Sequence, residues 1–568
     1  MFSITRILAV AVTGLTLSPG LAADTIKVSA KGDIKTISEG VAAATAGDTV
    51  SVASGLYTEV VTVPAGKDNL KIIAKGKVTL DARPNGALGS GPGFTVESNG
   101  VTIQGFTIRH PRDNEAEEAP ALGVSPLGDG IYATGSDISV LKCGFLNCEN
   151  TAVTIVGDDA RIDGCTVFAT GTDAFFVIGD SAEVTRNSVR SSGGLGVKIV
   201  GGMPVVSRNS FLNCSSVGIL LADADGGIVS ANMIFAPASE AIITEGAGML
   251  IEKNKIDSTY NTAILHLGSG VTISGNTIEN CESGIDSESE GGIYSKNKIK
   301  HVDSNGIAHI GTGATIDKNT FENLGSTTIN LYAASGTKVT NNKVKKASGS
   351  GLDAEGDEIL VDKNNFDTIC RGGIEINGDM PTITRNTLKN IARDGSGISV
   401  QNAPGGGLID GNKITDATDH GIDLRSTTQG FIVNKNQIKN AGNSGENGIN
   451  VRGMMHTVTD NKVEGAVNDG INVEGHGHRI DGNKVTKNAV DGIDIESGTA
   501  NEVTTNSVTS NGAEGIENNA MGTTISDNTA KSNRTDYAND GSVATFTDNK
   551  SGDDTGDSQK DMADPEID

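Results

Sequence analysis

Short runs of Val and Ile alternate with polar residues along most of the chain, each run broken after a few positions by Gly or Asn. The clearest are Gly-Ile-x-apolar segments, GIEI at Gly373, GISV at Gly397, GIDL at Gly421, GINV at Gly448 and Gly470, and GIDI at Gly492. Alternation with a period of two predicts strands with one buried and one outward face. A second marker runs in phase. Asn recurs at 187, 209, 232, 254, 276, 297, 319, 342, 364 and 386, then at 412, 436, 461, 483, 506, 528 and 549. Most steps are about 22 residues, a period that fits three short strands and three bends. Cys143 and Cys165 take the same slot upstream. Coils of this kind cannot bury their apolar face alone. Stacked, each strand pairs in parallel with its copy about 4.8 Å away. Asn suits the bend, because it tolerates the left-handed conformation and its amide can bond to its equivalent above and below. The dense leucine signature of a leucine-rich repeat is missing. The pattern predicts an all-β fold, a parallel β-helix solenoid of about 22-residue coils.

The ends depart from the pattern. Ile34–Ala46 has helical apolar spacing and predicts a short helix capping the open first coil. The solenoid is expected over 24–550, with the cap and first coils in 24–105. Residues 110–128 read as a loop insertion and the acidic residues 551–568 as a disordered tail. Residues 1–23 have the charged, apolar and small-residue order of a signal peptide, so the protein is expected to be exported, periplasmic or extracellular. No later segment has the apolar length of a transmembrane helix.

Two outward columns flank the buried residues of each Gly-Ile strand. In the early coils they hold Val156, Phe176, Ile178, Val200, Leu220, Ile243, Leu265 and Leu267. An apolar stripe on a wet face predicts self-association or docking to another protein, with Phe176, Leu220, Ile243 and Leu265 at its centre. From Asp353 onward the columns become polar: Asp353 and Glu355, Glu375 and Asn377, Ser399 and Gln401, Asp423 and Arg425, Asn450 and Arg452, Asn472 and Glu474, Asp494 and Glu496. Such a ladder suits a hydroxyl-rich sugar, and calcium is the one cofactor it suggests. A third column, immediately before the Asn, is basic, with Arg186, Arg208, Lys253, Lys318, Lys363, Arg385 and Lys435 among its members.

Charge and composition narrow the function classes. A net charge of -26 excludes general nucleic-acid binding, which needs a basic surface. Six cysteines in 568 residues are too few for a disulfide scaffold, and whether Cys143 and Cys165 pair is left open.

The sharpest cluster of chemistry is ATDHGIDLRS, Ala417–Ser426. It sets His420 before a Gly-Ile strand, with Asp423 and Arg425 outward and Arg452 on the next coil. His can exchange protons near neutrality and Arg can clamp a uronate carboxylate. His420, Asp423, Arg425 and Arg452 are therefore the candidate catalytic residues, for proton abstraction next to a carboxylate. Glu375, Asn450, Asn472, Glu474, Asp491, Asp494 and Glu496 are the candidate substrate-binding residues.

The Gly-Ile and Asn pattern, with the opening AGDTVSVASGLYTEVVTV (Ala46–Val63), resembles the right-handed parallel β-helix of pectin-lyase-like proteins over roughly residues 25–550. The resemblance implies that fold and leaves function wide, since the scaffold hosts lyases, hydrolases, epimerases, esterases, phage spikes and non-catalytic proteins. His-Gly-Ile at His420 and Asp-Gly-Ile-Asp at Asp491 are similar to pieces of β-helical polygalacturonases and alginate epimerases. Their order along the chain is reversed here, so no catalytic role is carried over. The expected function is polysaccharide binding, with uronate lyase or C5-epimerase chemistry in one version. The other version is a non-catalytic envelope or extracellular β-helix that binds glycan or protein.

Overall fold

Each coil consists of three short strands set apart by bends whose residues cannot continue an extended chain. In one coil these are Phe175–Ile178, Glu183–Thr185 and Ser188–Ser192. The residue after the second strand, Arg186, is left-handed at φ 58, and Asn187 follows it at the corner. Arg208, Lys253, Lys318, Lys363, Arg385 and Lys435 take the same conformation at φ 53 to 58, so the basic column is also the bend column. The computed structural model describes residues 23–83, 91–110, 128–393, 395–541 and 544–552. They form a right-handed parallel β-solenoid of about 23 turns with roughly 22-residue coils. Its strands run from Thr25–Val28 to Lys550–Ser551. The signal-peptide reading of 1–23, the body of the 110–128 insertion and most of the 551–568 tail lie outside the described residues.

The Asn column is a continuous buried ladder. Asn187 donates its backbone N–H (2.9 Å) and its Nδ2 (3.0 Å) to Asn209 Oδ1, and also donates Nδ2 to Ile162 O on the coil before. The same three bonds recur rung by rung as far as Asn528, whose acceptor is Asn549 Oδ1. The bends are thereby satisfied internally, as buried amides must be. Cys165 and Cys143 keep half of this scheme, with Sγ directed at Val140 O (3.5 Å) and Ile103 O (3.7 Å). Both are free thiols, and burial pushes Cys143 up to about 11.

Two shorter ladders stiffen other bends of the C-terminal coils. Phe431 N–H donates to His456 Nδ1, His456 N–H to His478 Nδ1, and His478 N–H to Asn501 Oδ1, at 3.0 to 3.1 Å. The two imidazoles stack, with centroids 5.1 Å apart. Asn488, Asn511 and Asn533 repeat the arrangement further along. His266 and His309 also point inward, bonded to Thr244 and Tyr294 hydroxyls.

Inside, Val and Ile layers are interrupted by single buried rings such as Phe211, Phe321 and Phe366. The Gly of the Gly-Ile motif is there for close approach. A Cβ on Gly421 would lie 2.5 Å from both Gly448 O and Ile438 Cγ2.

The N-terminal helix spans Ile37–Ala43, shorter than the expected Ile34–Ala46. A capping box fixes its start, with Glu39 N–H donating to Thr36 Oγ1 and Thr36 N–H to Glu39 Oε2. Ile37 and Val41 are buried in the first coils, so the helix does cover the open end. Among the described residues no helix is long and apolar enough to cross a membrane.

Candidate functional site

The outward columns stand on the face made by the Gly-Ile strands. Asp353, Glu375, Ser399, Asp423, Asn450, Asn472, Asp494 and Glu517 are successive register partners, one per coil. Beside them Glu355, Asn377 and Gln401 form a second row, continued by Arg452 and Glu474. The row then breaks. A bulge after Val473 pairs Glu474 with Ser497, so Glu496 does not continue the column in which the sequence places it. The strands here are longer, Ile471–His476 and Ile493–Thr499, and the extra residue is absorbed by the bulge.

Asp353, Glu375, Asn377, Ser399, Gln401 and Arg425 line a depression of about 310 Å³ on this face. Ser350 donates its hydroxyl to Glu375 (2.9 Å) and Arg425 Nε reaches Ser399 Oγ (3.3 Å). Burial raises the carboxyl pKa of both Asp353 and Glu375. Repulsion from Glu355 adds to the shift at Asp353.

Next along the ladder, Asp423 is 2% exposed. It accepts from Asn450 Nδ2 and Arg452 Nη2, each at 3.0 Å, and Arg425 Nε lies 3.4 Å away. The four expected catalytic residues are neighbours. Both guanidinium groups, however, are already engaged by one buried carboxylate.

His420, 7% exposed, packs under Glu446 and Asn447 of the following coil. Its Nδ1 accepts Asn447 N–H (3.1 Å), while Nε2 lies 3.3 Å from both Glu446 Oε2 and Asn450 Nδ2 and 3.9 Å from Asp419 Oδ1. With the Nδ1 lone pair committed, the proton of a neutral ring sits on Nε2, directed at the carboxylates. In that tautomer His420 donates to a ligand and cannot take its proton. Asp419, His420 and Glu446 converge closely enough to hold a metal. A metal on Nε2 would require the proton on Nδ1, where the Asn447 N–H stands, so the donor set does not fit one. Glu446 and Asn447 lie in the long coil between Asn436 and Asn461. That extra length was the one sequence signal for a loop beside His420.

Farther on, Asp469 and Asp491 are buried at the strand entry, each receiving a backbone N–H: Asp491 N to Asp469 Oδ1 and Glu514 N to Asp491 Oδ1. Burial, then neighbouring carboxylates, push Asp494 up to about 7. Burial together with Glu514 and Asp469 puts Asp491 at about 8. Glu474 is raised by burial and by Glu496, with Arg452 opposing. Of the late histidines, His478 faces the interior and only His476 is exposed, bonded to Thr499.

The basic column is largely paired with acidic neighbours: Arg186 with Asp163, Lys318 with Asp317, and Arg385 with Asp362. In the early coils Phe176, Leu220, Ile243 and Leu265 point outward and are half-buried; Leu220, Ile243 and Leu265 are successive register partners, and Lys198 stands between Phe176 and Leu220. Lys198 lies over the Phe176 ring at 4.9 Å. Val156 and Ile178 in the row beside them are 38% and 40% exposed.

A family model described as "Right handed beta helix region" matches residues 173–323, 327–446 and 447–558. Among solved structures, a PL6-family alginate lyase, AlyGC, aligns over 93% of this chain and 100% of its own, at 10% identity and a TM-score of 0.42. A mutant of the periplasmic alginate epimerase AlgG aligns over 56% and 84%, at 12% identity and a TM-score of 0.28. Gene product 12 of bacteriophage phi29 aligns over 88% and 70%, at 10% identity and a TM-score of 0.38. Likeness at these values carries no functional assignment. No curated protein sequence matches the chain.

Proposed function

The chain belongs to the right-handed β-helix family, and from that scaffold we propose that the Gly-Ile face from Asp353 to Glu474 is the polysaccharide-binding surface of an exported protein. The observation that carries this reading is the depression between Asp353 and Arg425. Carboxylate, amide, hydroxyl and guanidinium groups repeat there at one coil spacing, on strands too rigid to collapse into it. Hydroxyl groups both donate and accept, so a sugar chain laid along the face meets partners for both roles. Glu375 and Arg425 grip at one end. Asn450 and Glu474 extend the face beyond the Asp423 ion cluster, and His420 donates from Nε2 at its edge.

In the catalytic version of this reading, lyase or C5-epimerase chemistry on a uronate, Arg425 and Arg452 would neutralise the sugar carboxylate. The proton acceptor then falls to Glu474 in place of His420, because the Nδ1 lone pair of His420 is held by Asn447. The test is a panel of alginate, pectate, glycosaminoglycans and neutral glucans, with affinity, unsaturated-product absorbance and C5 deuterium incorporation measured together. Arg425→Ala and Glu375→Ala should each weaken the bound glycan about tenfold, the worth of one lost hydrogen bond to a charged group. No binding across the panel, or binding indifferent to both substitutions, would sink the proposal.

A second reading rests on the apolar stripe of the early coils, an outward surface of the kind that marks a protein contact, interrupted at Lys198. In it, Phe176, Leu220, Ile243 and Leu265 join the chain to a protein partner or a second copy. Leu220→Asp should then lower the mass measured by light scattering without altering glycan affinity.

A further inference from the structure

Lysines outside the bend column gather on another face of the solenoid, the one made by the third strand of each coil. The first outward row of that face runs through nine successive register partners, from Lys298 to Lys484. Five of the nine are lysine, at positions 298, 343, 413, 462 and 484, and none is acidic. As far as Lys439 the row beside it adds Lys300, Lys345 and Lys389 against Glu322 and Asp367. Within the same span the Gly-Ile face carries Asp353, Glu355 and Glu375. A chain of net charge -26 thus turns a positive strip to one side.

Neither of the usual reasons for surface lysine accounts for this strip. Lysine guards open sheet edges, but these strands are paired on both sides. Lysine also balances neighbouring carboxylates, and Glu322 is indeed held between Lys300 (3.2 Å) and Lys345 (3.7 Å). Among the described residues, however, Lys298, Lys343, Lys346, Lys389, Lys413 and Lys439 enter no ion pair. Like charges fixed on one rigid sheet repel, and a polyanion laid across them removes that repulsion.

The strip has the features of a sugar-binding surface. Thr320, Asn365, Thr387 and Gln437 fill the rest of the first row, and their hydroxyls and amides both donate and accept. Successive rungs stand about 4.8 Å apart, close to the length of one sugar ring in an extended chain. Along one edge His301, Asn323 and Lys346, left-handed at φ 51 to 65, line a depression of about 500 Å³ with Asn280, Asp303 and Ser348. No large apolar side chain stands outward on the two rows from Lys298 to Lys439, so the strip has nothing to insert into a lipid bilayer.

We propose that the third-strand face from Lys298 to Lys484 binds a linear acidic polysaccharide, a polyuronate, running along the solenoid axis. Ammonium groups meet the sugar carboxylates, the Thr, Asn and Gln side chains meet the hydroxyls, and the depression beside Lys346 seats part of the chain. This surface is separate from the Gly-Ile face and does not rest on the binding proposed there.

The test uses the full chain, polygalacturonate, and EDTA to keep calcium out. Affinity is read by calorimetry, and acetylation rates of individual lysines by mass spectrometry. Polygalacturonate should bind, weaken as NaCl is raised, and slow the acetylation of Lys343, Lys346 and Lys413. Its methyl-esterified form, the same backbone without the charge, should do none of these. All measurements are repeated on a chain carrying Arg425→Ala, which weakens the Gly-Ile face and should leave the lysine protection in place. In that background Lys343→Gln, Lys345→Gln and Lys346→Gln together, all at exposed positions, should lower affinity about tenfold. The proposal is overturned if those lysines stay unprotected, if the ester binds equally, or if the triple substitution leaves affinity unchanged. Phosphatidylglycerol vesicles and duplex DNA are run beside the glycan, and protection by either of them but not by polygalacturonate overturns it as well.

Discussion

Asn319 shows what a single residue does in this molecule. Its Oδ1 accepts two donors from Asn297, and its Nδ2 donates to Tyr294 O and to Asn342 Oδ1. Asn319→Ala would leave those partners buried and unsatisfied, at roughly 3 kcal/mol or more. Urea unfolding should show this loss, while Asn341→Ala, at a half-buried bend position on the next coil, should cost far less. His478 fills the equivalent role in its own ladder through Nδ1, where the next rung uses Asn501. Both His456 and His478 are held near 4 rather than 6.5, chiefly by burial. Their neutral forms stabilise the fold fully above about 6.5. That contribution fades as pH falls through the folded values near 4, roughly 3 kcal/mol per ring over the whole window. Asp491 and Asp494 act with the opposite sign. Raised above their ordinary 3.8, they favour the fold at low pH and lose that contribution as pH rises through about 7 to 8. The histidine effect is therefore read as a difference. His478→Asn should gain on the parent in unfolding free energy as the buffer is taken from pH 7 to pH 4.5, and a constant gap would refute it.

At the scale of elements, the strands and their register were written in the sequence because the repeat gives each position a fixed environment. The Gly-Ile and Asn columns mark the buried side chain and the bend on most coils, so the outward ladder from Asp353 to Asn472 is legible in the sequence. The same periodicity hides exceptions. The bulge that moves Glu496 out of line comes from strand length near Val473, which no column records. The Asn447 contact that fixes the His420 tautomer comes from a neighbouring coil, and the burial of Asp423 between two arginines depends on side-chain packing. The helix came out shorter than its apolar spacing because capping at Thr36 overrode it. Strand packing also sets the tolerance of the motif glycines. Gly421→Ala would drive a methyl group into Gly448 O and Ile438, costing about 1–3 kcal/mol as overpacking. Its effect should appear as faster hydrogen exchange confined to the adjoining coils.

Across the whole molecule, the two ends of the Gly-Ile face are chemically different surfaces on one uninterrupted sheet. The early end is mostly apolar and half-buried; the late end is polar and predominantly acidic. Among the described residues the strands pair between successive coils, so stability is a chain of local terms. A substitution in the apolar stripe and one at Arg425 should therefore be additive in stability and independent in binding, a statement a double-mutant cycle measures directly.

The Asn ladder also has a direction. From Asn187 to Asn528 each Asn of the ladder finds the acceptor for its backbone N–H on the coil that follows, so each turn has an open donor until the next one is laid down. A chain emerging amino-end first completes its turns in the order of synthesis, each arriving coil sealing the one already formed. Assembly of the solenoid is thus vectorial, like a zip drawn from the capped end, and the growing tip is always its least satisfied turn.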